Sequence, residues 1–133
     1  AADTDIYIAD TFGELGLFYR LAPVACIGRS FSDDGGGGHN PIEAAQLGCA
    51  VLHGPHVQFQ QEICDEMDAA GAALKISDKA ELAKILHALL SDPAKCTTLQ
   101  KTGQEFARSK EKVIDNVLEK LSQSRLQRVL EEK

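Results

Sequence analysis

The feature that most constrains the fold is an alternation of short, largely apolar segments with longer stretches of helical character. The apolar segments are residues 6–9, 24–27, 50–53 and 72–76, and helices are predicted over about 14–21, 41–48 and 57–70. Both faces of each short segment are apolar, which is typical of strands covered by helices on both sides. The strand–helix order therefore predicts an α/β fold with a Rossmann-like parallel sheet of about four strands.

The carboxyl-terminal part is predicted to be helical. Asp78 and Glu81 form a capping-box-like pair at the start of one helix, and Pro93 marks its end. Two more helices are predicted, over 94–109 and from 112 to 133. We divide the chain into a partial Rossmann-like domain over 1–109 and a carboxyl-terminal helix over 110–133, which packs on that domain or on another one. Four strands make a thin sheet for this fold, so the chain is either a compact domain or the second half of a larger one.

Composition excludes several classes of protein. Fourteen Lys and Arg residues against twenty Asp and Glu residues give a net charge of −6. Nucleic-acid binding is disfavoured, because phosphate neutralisation needs clustered positive charge. No apolar run has the roughly 18 residues that a membrane span requires, and no signal-peptide pattern is visible. The four cysteines contain no CxxC pair, so we expect reduced, buried thiols in a cytosolic protein, with disulfides as the alternative.

A glycine-rich loop is the most informative motif. It follows the second predicted strand and contains glycines at 35–38, then His39, Asn40, Pro41 and Glu43. Asn40 is suited to cap the next helix, and Pro41 fits its first turn. Glycines permit positive φ angles and close approach to a ligand, and free N–H groups at a helix start favour an anion. The spacing matches neither GxxxxGK[ST] nor GxGxxG, and a flexible loop before an ordinary helix is the alternative interpretation.

Two further loops are expected at the same edge of the sheet. Gly13 lies in the turn after the first predicted strand, and Gly54 and His56 follow the third one. In an open α/β sheet, ligands bind outside the carboxyl ends of the strands, so we predict a site for a phosphorylated ligand there. His53 and His56 form an HxxH pair with no third ligand nearby in sequence, so no metal site is predicted. His39, beside the glycines, is the better candidate for a ligand contact.

These motifs resemble the carboxyl-terminal domain of 3-deoxy-D-manno-octulosonic acid (Kdo) transferase, a glycosyltransferase of the GT-B fold. The resemblance covers roughly residues 3–90 and rests on DTFGEL at 10–15, FY at 18–19, VACIGRSF at 24–31, GGHNPIE at 37–43 and GPH at 54–56. The chain departs from the family pattern at Ala44, at the acidic pair Asp33 and Asp34, and at Arg29, where a small residue is common.

The resemblance implies a metal-independent, inverting enzyme without a cofactor that transfers Kdo from CMP-Kdo to a lipid A precursor. The reaction is then expected at the cytoplasmic side of the bacterial inner membrane. The donor nucleotide binds the carboxyl-terminal domain, whereas the acceptor, a membrane anchor and the catalytic carboxylate belong to an amino-terminal domain. The donor-binding residues implied here are Gly13, Glu14, Leu15, Gly37, Gly38, His39, Asn40 and Glu43. The chain alone is expected to bind the donor and to transfer nothing.

Two other classes of function stay open at this point. One is a stand-alone nucleotide-binding or regulatory module without catalysis, which would use the same anion site. The other is an interaction module, in which the apolar stripe of the last helix causes self-association or binds another chain. That stripe includes Ile114, Val117, Leu118, Leu121, Leu126, Val129 and Leu130. Its spacing is not a clean heptad, which favours packing within a protein over a coiled coil.

Overall fold

The computed structural model describes residues 4–131, with side chains described up to residue 123. Its elements are α1 (Leu15–Leu21), β1 (Val24–Cys26), α2 (Ile42–Gln46), β2 (Ala50–His53), α3 (Gln61–Ala69), β3 (Ala73–Lys75), α4 (Lys79–Ser91) and α5 (Pro93–Glu131). Within the described residues, the strands form one parallel sheet in the order β1-β2-β3. The predicted fold class, a parallel sheet with flanking helices and a helical carboxyl-terminal tail, is confirmed.

The central strand β2 positions the rest of the molecule. Val51 pairs with Ala25 on one side and with Ala73 on the other, and all four residues of β2 are buried. Because successive side chains of a strand point to opposite faces, Val51 and Leu52 belong to different cores. This burial on both faces matches the apolar pattern of the sequence.

Helices cover both faces of the sheet. On one face, Val51 packs with Ala45 of α2, Met67 of α3 and Ala107 of α5. On the other face, Leu52 packs with residues of α4 and of the first turns of α5; these are Leu89, Cys96 and Leu99. The long helix α5 thus contributes to both cores, which makes it part of the sheet domain over its first half.

The first predicted strand, residues 6–9, does not form. Ile6 and Ile8 are 82% and 80% exposed, and the ring of Tyr7 packs on Phe18 with centroids 5.9 Å apart. An apolar segment becomes a strand only where a neighbouring strand pairs with its backbone groups. In the described part of the chain, β1 pairs with β2 and no strand lies beside 6–9. The sheet therefore has three strands here instead of about four.

The two helices predicted over 94–109 and 112–133 are one continuous helix, α5. No glycine or proline lies between residues 104 and 131, so nothing in the sequence breaks the helix near 110. The start of α4 is as predicted: the Glu81 amide donates to Asp78 Oδ1 over 2.8 Å, and the Ser77 amide donates to Glu81 Oε2 over 2.7 Å. The predicted stripe residues Leu126, Val129 and Leu130 lie outside the described side chains.

Two further expectations concern the membrane and the cysteines. Among the described residues, no helix combines the length and hydropathy that a bilayer crossing requires. The four cysteines, which all lie in this part of the chain, are free. Cys49, Cys64 and Cys96 are buried as predicted, whereas Cys26 is exposed.

Candidate functional site

Two loops leave the carboxyl ends of adjacent strands and meet. We call residues 28–41, after β1, the glycine loop, and residues 54–60, after β2, the second loop. Because β1 and β2 are parallel neighbours, both loops emerge at the same edge of the sheet. The His56 amide donates to the Ser30 carbonyl over 2.9 Å, and the Phe59 amide donates to the Gly37 carbonyl over 3.2 Å. The predicted convergence of these two loops is therefore present in the structure.

The glycine loop folds back on itself. The Gly38 amide donates to the Arg29 carbonyl over 3.1 Å, and the His39 amide donates to the Gly28 carbonyl over 3.2 Å. The amides of Gly38 and His39, two residues predicted to bind the donor, are thus used inside the loop. They give the loop its shape, and a bound anion would have to be held by other groups.

Gly37 and Gly38 have the conformation that glycine permits. Their φ angles are +63° and +77°, and both residues are buried against the second loop. A Cβ at position 38 would lie 3.1 Å from Val57 Cγ1, and one at position 37 would overlap the Phe59 ring. Since other residues rarely adopt such angles, these two positions depend on glycine.

Asn40 and Glu43 lie where the glycine loop enters α2. Asn40 Oδ1 accepts a hydrogen bond from the Ile42 amide over 2.9 Å, as expected of a capping side chain. The helix α2 begins at Ile42, one residue later than predicted. The Asn40 side-chain amino group, opposite that oxygen, faces away from this bond. Glu43 is exposed in the first turn of α2. Both side chains are accessible to a ligand.

The start of α1 carries the other predicted site residues. Gly13, with a φ of +85°, Glu14 and Leu15 are exposed, and a Cβ at Gly13 would meet no atom within 4 Å. The Thr11 hydroxyl donates to the Glu14 carboxylate, so Thr11 does not cap α1. This turn lies open to solvent.

The body of α1 packs beside α2. A Cβ at Gly16 would lie 3.7 Å from Leu47 Cδ1, just beyond the end of α2. Burial, followed by the negative charge of Glu43, raises the pKa of the Tyr19 hydroxyl. Tyr19 packs against the core cluster that includes Ala44 and Ala45 of α2. The structure thus brings α1 and α2 together through Gly16 and Tyr19, whereas a Cβ at Gly13 would meet no atom of the glycine loop within 4 Å.

Sequence reasoning missed a buried polar network beneath the two loops. Ser30 is fully buried, donates its hydroxyl to the Ile27 carbonyl over 2.6 Å and accepts from the Gly54 amide over 2.8 Å. His53 is also buried; its Nδ1 lies 2.8 Å from the Gly54 carbonyl and its Nε2 lies 2.9 Å from Asp68 Oδ1. The only sequence signal was a histidine at the end of a buried strand, in an HxxH pair to which no metal site was assigned.

A cleft of about 570 Å³ opens beside the second loop, between α3 and α5. It is lined by Gln58, Phe59, Gln60, Gln61, Glu62, Ile63, Glu66 and Lys110. No predicted site residue lines it, but Phe59 reaches from the cleft to Gly37 of the glycine loop. Lys110 forms an ion pair with Glu66 within it. Within the described residues, no group of three or more His, Cys, Asp or Glu side chains is placed to hold a metal ion.

Known proteins similar to this chain share one description. No protein-family model matches it. A 3-deoxy-D-manno-octulosonic acid transferase of Rickettsia bellii is 35% identical over 118 residues, which are 86% of this chain and 27% of that protein. A protein of Arabidopsis thaliana named "Probable 3-deoxy-D-manno-octulosonic acid transferase, mitochondrial" is 40% identical over 108 residues, which are 80% of this chain and 24% of that protein. The chain thus spans about a quarter of the length of these relatives.

A solved structure extends the similarity to the fold. The crystal structure of the C-terminal CMP-Kdo binding domain of WaaA from Acinetobacter baumannii has a TM-score of 0.74 and 33% sequence identity to this chain. The match covers 79% of this chain and 54% of that one. By sequence and by fold, the chain therefore belongs to the 3-deoxy-D-manno-octulosonic acid transferase family and represents part of its carboxyl-terminal domain.

Proposed function

We propose that this chain is the donor-binding part of a Kdo transferase and that the glycine loop and α2 bind the CMP portion of CMP-Kdo. One observation carries the proposal. The glycine loop is folded back over the second loop at the carboxyl edge of a parallel sheet, and it leads into the exposed Asn40 and Glu43. The solved domain with the same fold is described as binding CMP-Kdo.

The phosphate of CMP is held by groups that the loop leaves free. Gly38 and His39 use their amides internally, and the Ile42 amide is taken by Asn40. The contacts therefore come from the side chains of His39 and Asn40 and from the amides that follow Ile42 in the first turn of α2, which have no acceptor within the helix. The amides at the start of α1, around Glu14 and Leu15, add a second set. Since α1 has seven residues and α2 has five, local N–H groups matter more than a long helix dipole.

Glu43 has a different role from the anion-binding groups. A carboxylate would repel the phosphate, but it accepts hydrogen bonds from hydroxyl groups. We assign it to the ribose. A phosphate placed near Asn40 would leave the ribose within reach of the first turn of α2.

The chemistry follows from the leaving group. Kdo leaves CMP through an oxocarbenium-like transition state while negative charge grows on the phosphate, and preorganised N–H donors stabilise that charge. The reaction is inverting and metal-independent. Attack by the acceptor requires a general base, which we place in the other domain of the intact enzyme. That enzyme would use a lipid A precursor as acceptor at the cytoplasmic side of the bacterial inner membrane, and this chain alone would transfer nothing.

A titration with CMP, UMP and GMP tests the proposal. CMP should bind tightest, and Asn40→Ala and Glu43→Ala should each weaken CMP binding about tenfold, the effect of losing one good hydrogen bond to a charged or ribose group. Glu62→Ala, which removes a glutamate from the first turn of α3, serves as the matched control. No preference for CMP, an unchanged affinity in both variants, or Kdo transfer by the chain alone would contradict the proposal.

A further inference from the structure

The backbone of Gly54 is hydrogen-bonded at both its amide and its carbonyl. Its amide donates to the buried Ser30 hydroxyl, and its carbonyl accepts from the buried ring of His53, each over 2.8 Å. Gly54 is the first residue of the second loop, on which Gly37 and Gly38 rest. The position of this one peptide therefore fixes how the second loop supports the glycine loop.

The His53 ring is itself held from its other side. Nε2 lies 2.9 Å from Asp68 Oδ1, on α3. The Gly54 carbonyl and the Asp68 carboxylate are both acceptors, and each lies within hydrogen-bond distance of one of the two ring nitrogens. Asp68 and Gly54 then fix the ring in one orientation. With both nitrogens engaged, His53 has no free group for a ligand or a metal.

We propose that His53 and Asp68 are positioning residues for the donor site: through the Gly54 carbonyl they hold the second loop, and thereby the glycine loop, in the shape that binds the donor. This role rests on the proposed function. None of the predicted donor-binding residues belongs to the pair. The chain of contacts runs from Asp68 through His53, Gly54 and Ser30 to the glycine loop. It acts by preorganisation, because a loop that already has its bound shape loses less entropy on binding.

Two substitutions of His53 separate its two hydrogen bonds. The side-chain amide nitrogen of asparagine lies close to the place of Nδ1, and that of glutamine lies close to the place of Nε2. His53→Asn therefore keeps a donor for Gly54 and loses Asp68, whereas His53→Gln keeps a donor for Asp68 and loses Gly54. A merely structural role in filling the core predicts similar effects from both. The positioning role predicts that His53→Gln is the more harmful.

Asp68→Ala tests the outer member of the pair without changing the core strand. Asp65→Ala is its matched control, because Asp65 lies on the same helix, and its carboxylate accepts from Gln61 at the surface. We expect CMP affinity to fall about tenfold in His53→Gln and about threefold in both Asp68→Ala and His53→Asn, which lose the same hydrogen bond, and to change less than twofold in Asp65→Ala.

Amide hydrogen exchange of Gly38 and His39 provides a readout that does not depend on CMP. Faster exchange at these two amides in His53→Gln than in His53→Asn and Asp68→Ala, with wild-type rates in Asp65→Ala and at the amides of α4, would support the proposal. Equal CMP affinity in all variants, or equal losses in His53→Gln and His53→Asn with unchanged exchange in the glycine loop, would overturn it. If the wild-type chain binds no CMP, the proposed function fails, and the exchange rates alone decide whether the pair positions the loop.

Discussion

Gly54 lies against the backbone of Ser30, so closely that a Cβ at position 54 would be 2.1 Å from the Ser30 carbonyl oxygen and 2.6 Å from its carbonyl carbon. The φ angle of Gly54 is not in the left-handed region, so the requirement for glycine here comes from space and not from backbone conformation. The same carbonyl accepts the His56 amide. The two loops of the candidate site are thus joined through contacts that leave no room for a side chain.

This contact predicts a large cost for Gly54→Ala. The added Cβ meets backbone atoms, which cannot rotate away, and we expect the free energy of unfolding to fall by about 3 kcal/mol. Gly71→Ala is the control: Gly71 has a φ of +67° with nothing within 4 Å, so only the left-handed conformation is penalised, by about 1 kcal/mol. Urea unfolding of both variants checks this. Equal losses would show that the 54–56 segment can move away from Ser30.

Among the described non-glycine residues, Arg29 alone has a positive φ angle, which is +58°. A left-handed conformation costs an ordinary residue about 1–2 kcal/mol, whereas glycine adopts it freely but loses more entropy on folding. We expect Arg29→Gly to raise the free energy of unfolding by about 0.5–1 kcal/mol. Arg20→Gly, in helix α1, should lower it by about 1 kcal/mol. Destabilisation by Arg29→Gly in urea unfolding would mean that its side chain stabilises the loop by more than its backbone strains it.

Cys64 gives the stability a dependence on alkaline pH. Burial, followed by the charges of Asp68 and Asp65, raises the pKa of its thiol from 9.0 to about 11. Between these values the unfolded chain loses the proton and the folded chain keeps it, so the contribution of Cys64 to stability is complete below pH 9 and is lost as the pH rises to about 11. The difference in unfolding free energy between wild type and Cys64→Ala should therefore shrink from pH 8 to pH 10. Parallel pH curves for the two proteins would contradict the raised pKa.

Much of the fold and part of the site follow from local patterns. Residues 50–52 are apolar, and glycines at positions 48 and 54 flank the segment. The strand β2 forms over 50–53, as predicted, because both of its faces are covered. Asn40 before Pro41 gave the hydrogen bond at the start of α2, since capping depends on neighbours in sequence. The Asp78 and Glu81 pair was predictable for the same reason.

The features that were not predicted depend on distant partners. Residues 6–9 have a strand-like composition, but a strand needs a paired neighbour, which the pattern of the segment cannot supply. The contact of His53 with Asp68 joins a strand end to a helix residue 15 positions later in the sequence. The spacing of these two residues does not predict that contact. Gly38 and His39 were expected to bind the donor, and only the folded loop shows that their amides already donate to the carbonyls of Arg29 and Gly28.

The exposed stripe of α5 predicts weak self-association of this chain. All side chains from 111 to 123 are exposed, and Ile114 and Val117 are 60% and 50% exposed on one side of the helix. An apolar patch of this kind tends to associate in water. We expect the wild-type mass in sedimentation equilibrium to rise with concentration and that of the double variant Ile114→Lys, Val117→Lys to stay at the monomer value. The unfolding free energy should differ by less than about 0.5 kcal/mol, because neither side chain is in a core.

Ala107→Lys, at a fully buried position of the same helix, is the contrasting variant and should be strongly destabilised. If the double lysine variant still associates, the open edges of β1 and β3 are responsible, because strand edges also pair with other chains. If the double lysine variant associates less but also loses CMP binding, the stripe and the donor site are coupled. In that case the division of the chain near residue 110 does not separate two functions. Unchanged CMP affinity in a monomeric variant would place donor binding wholly in the sheet domain.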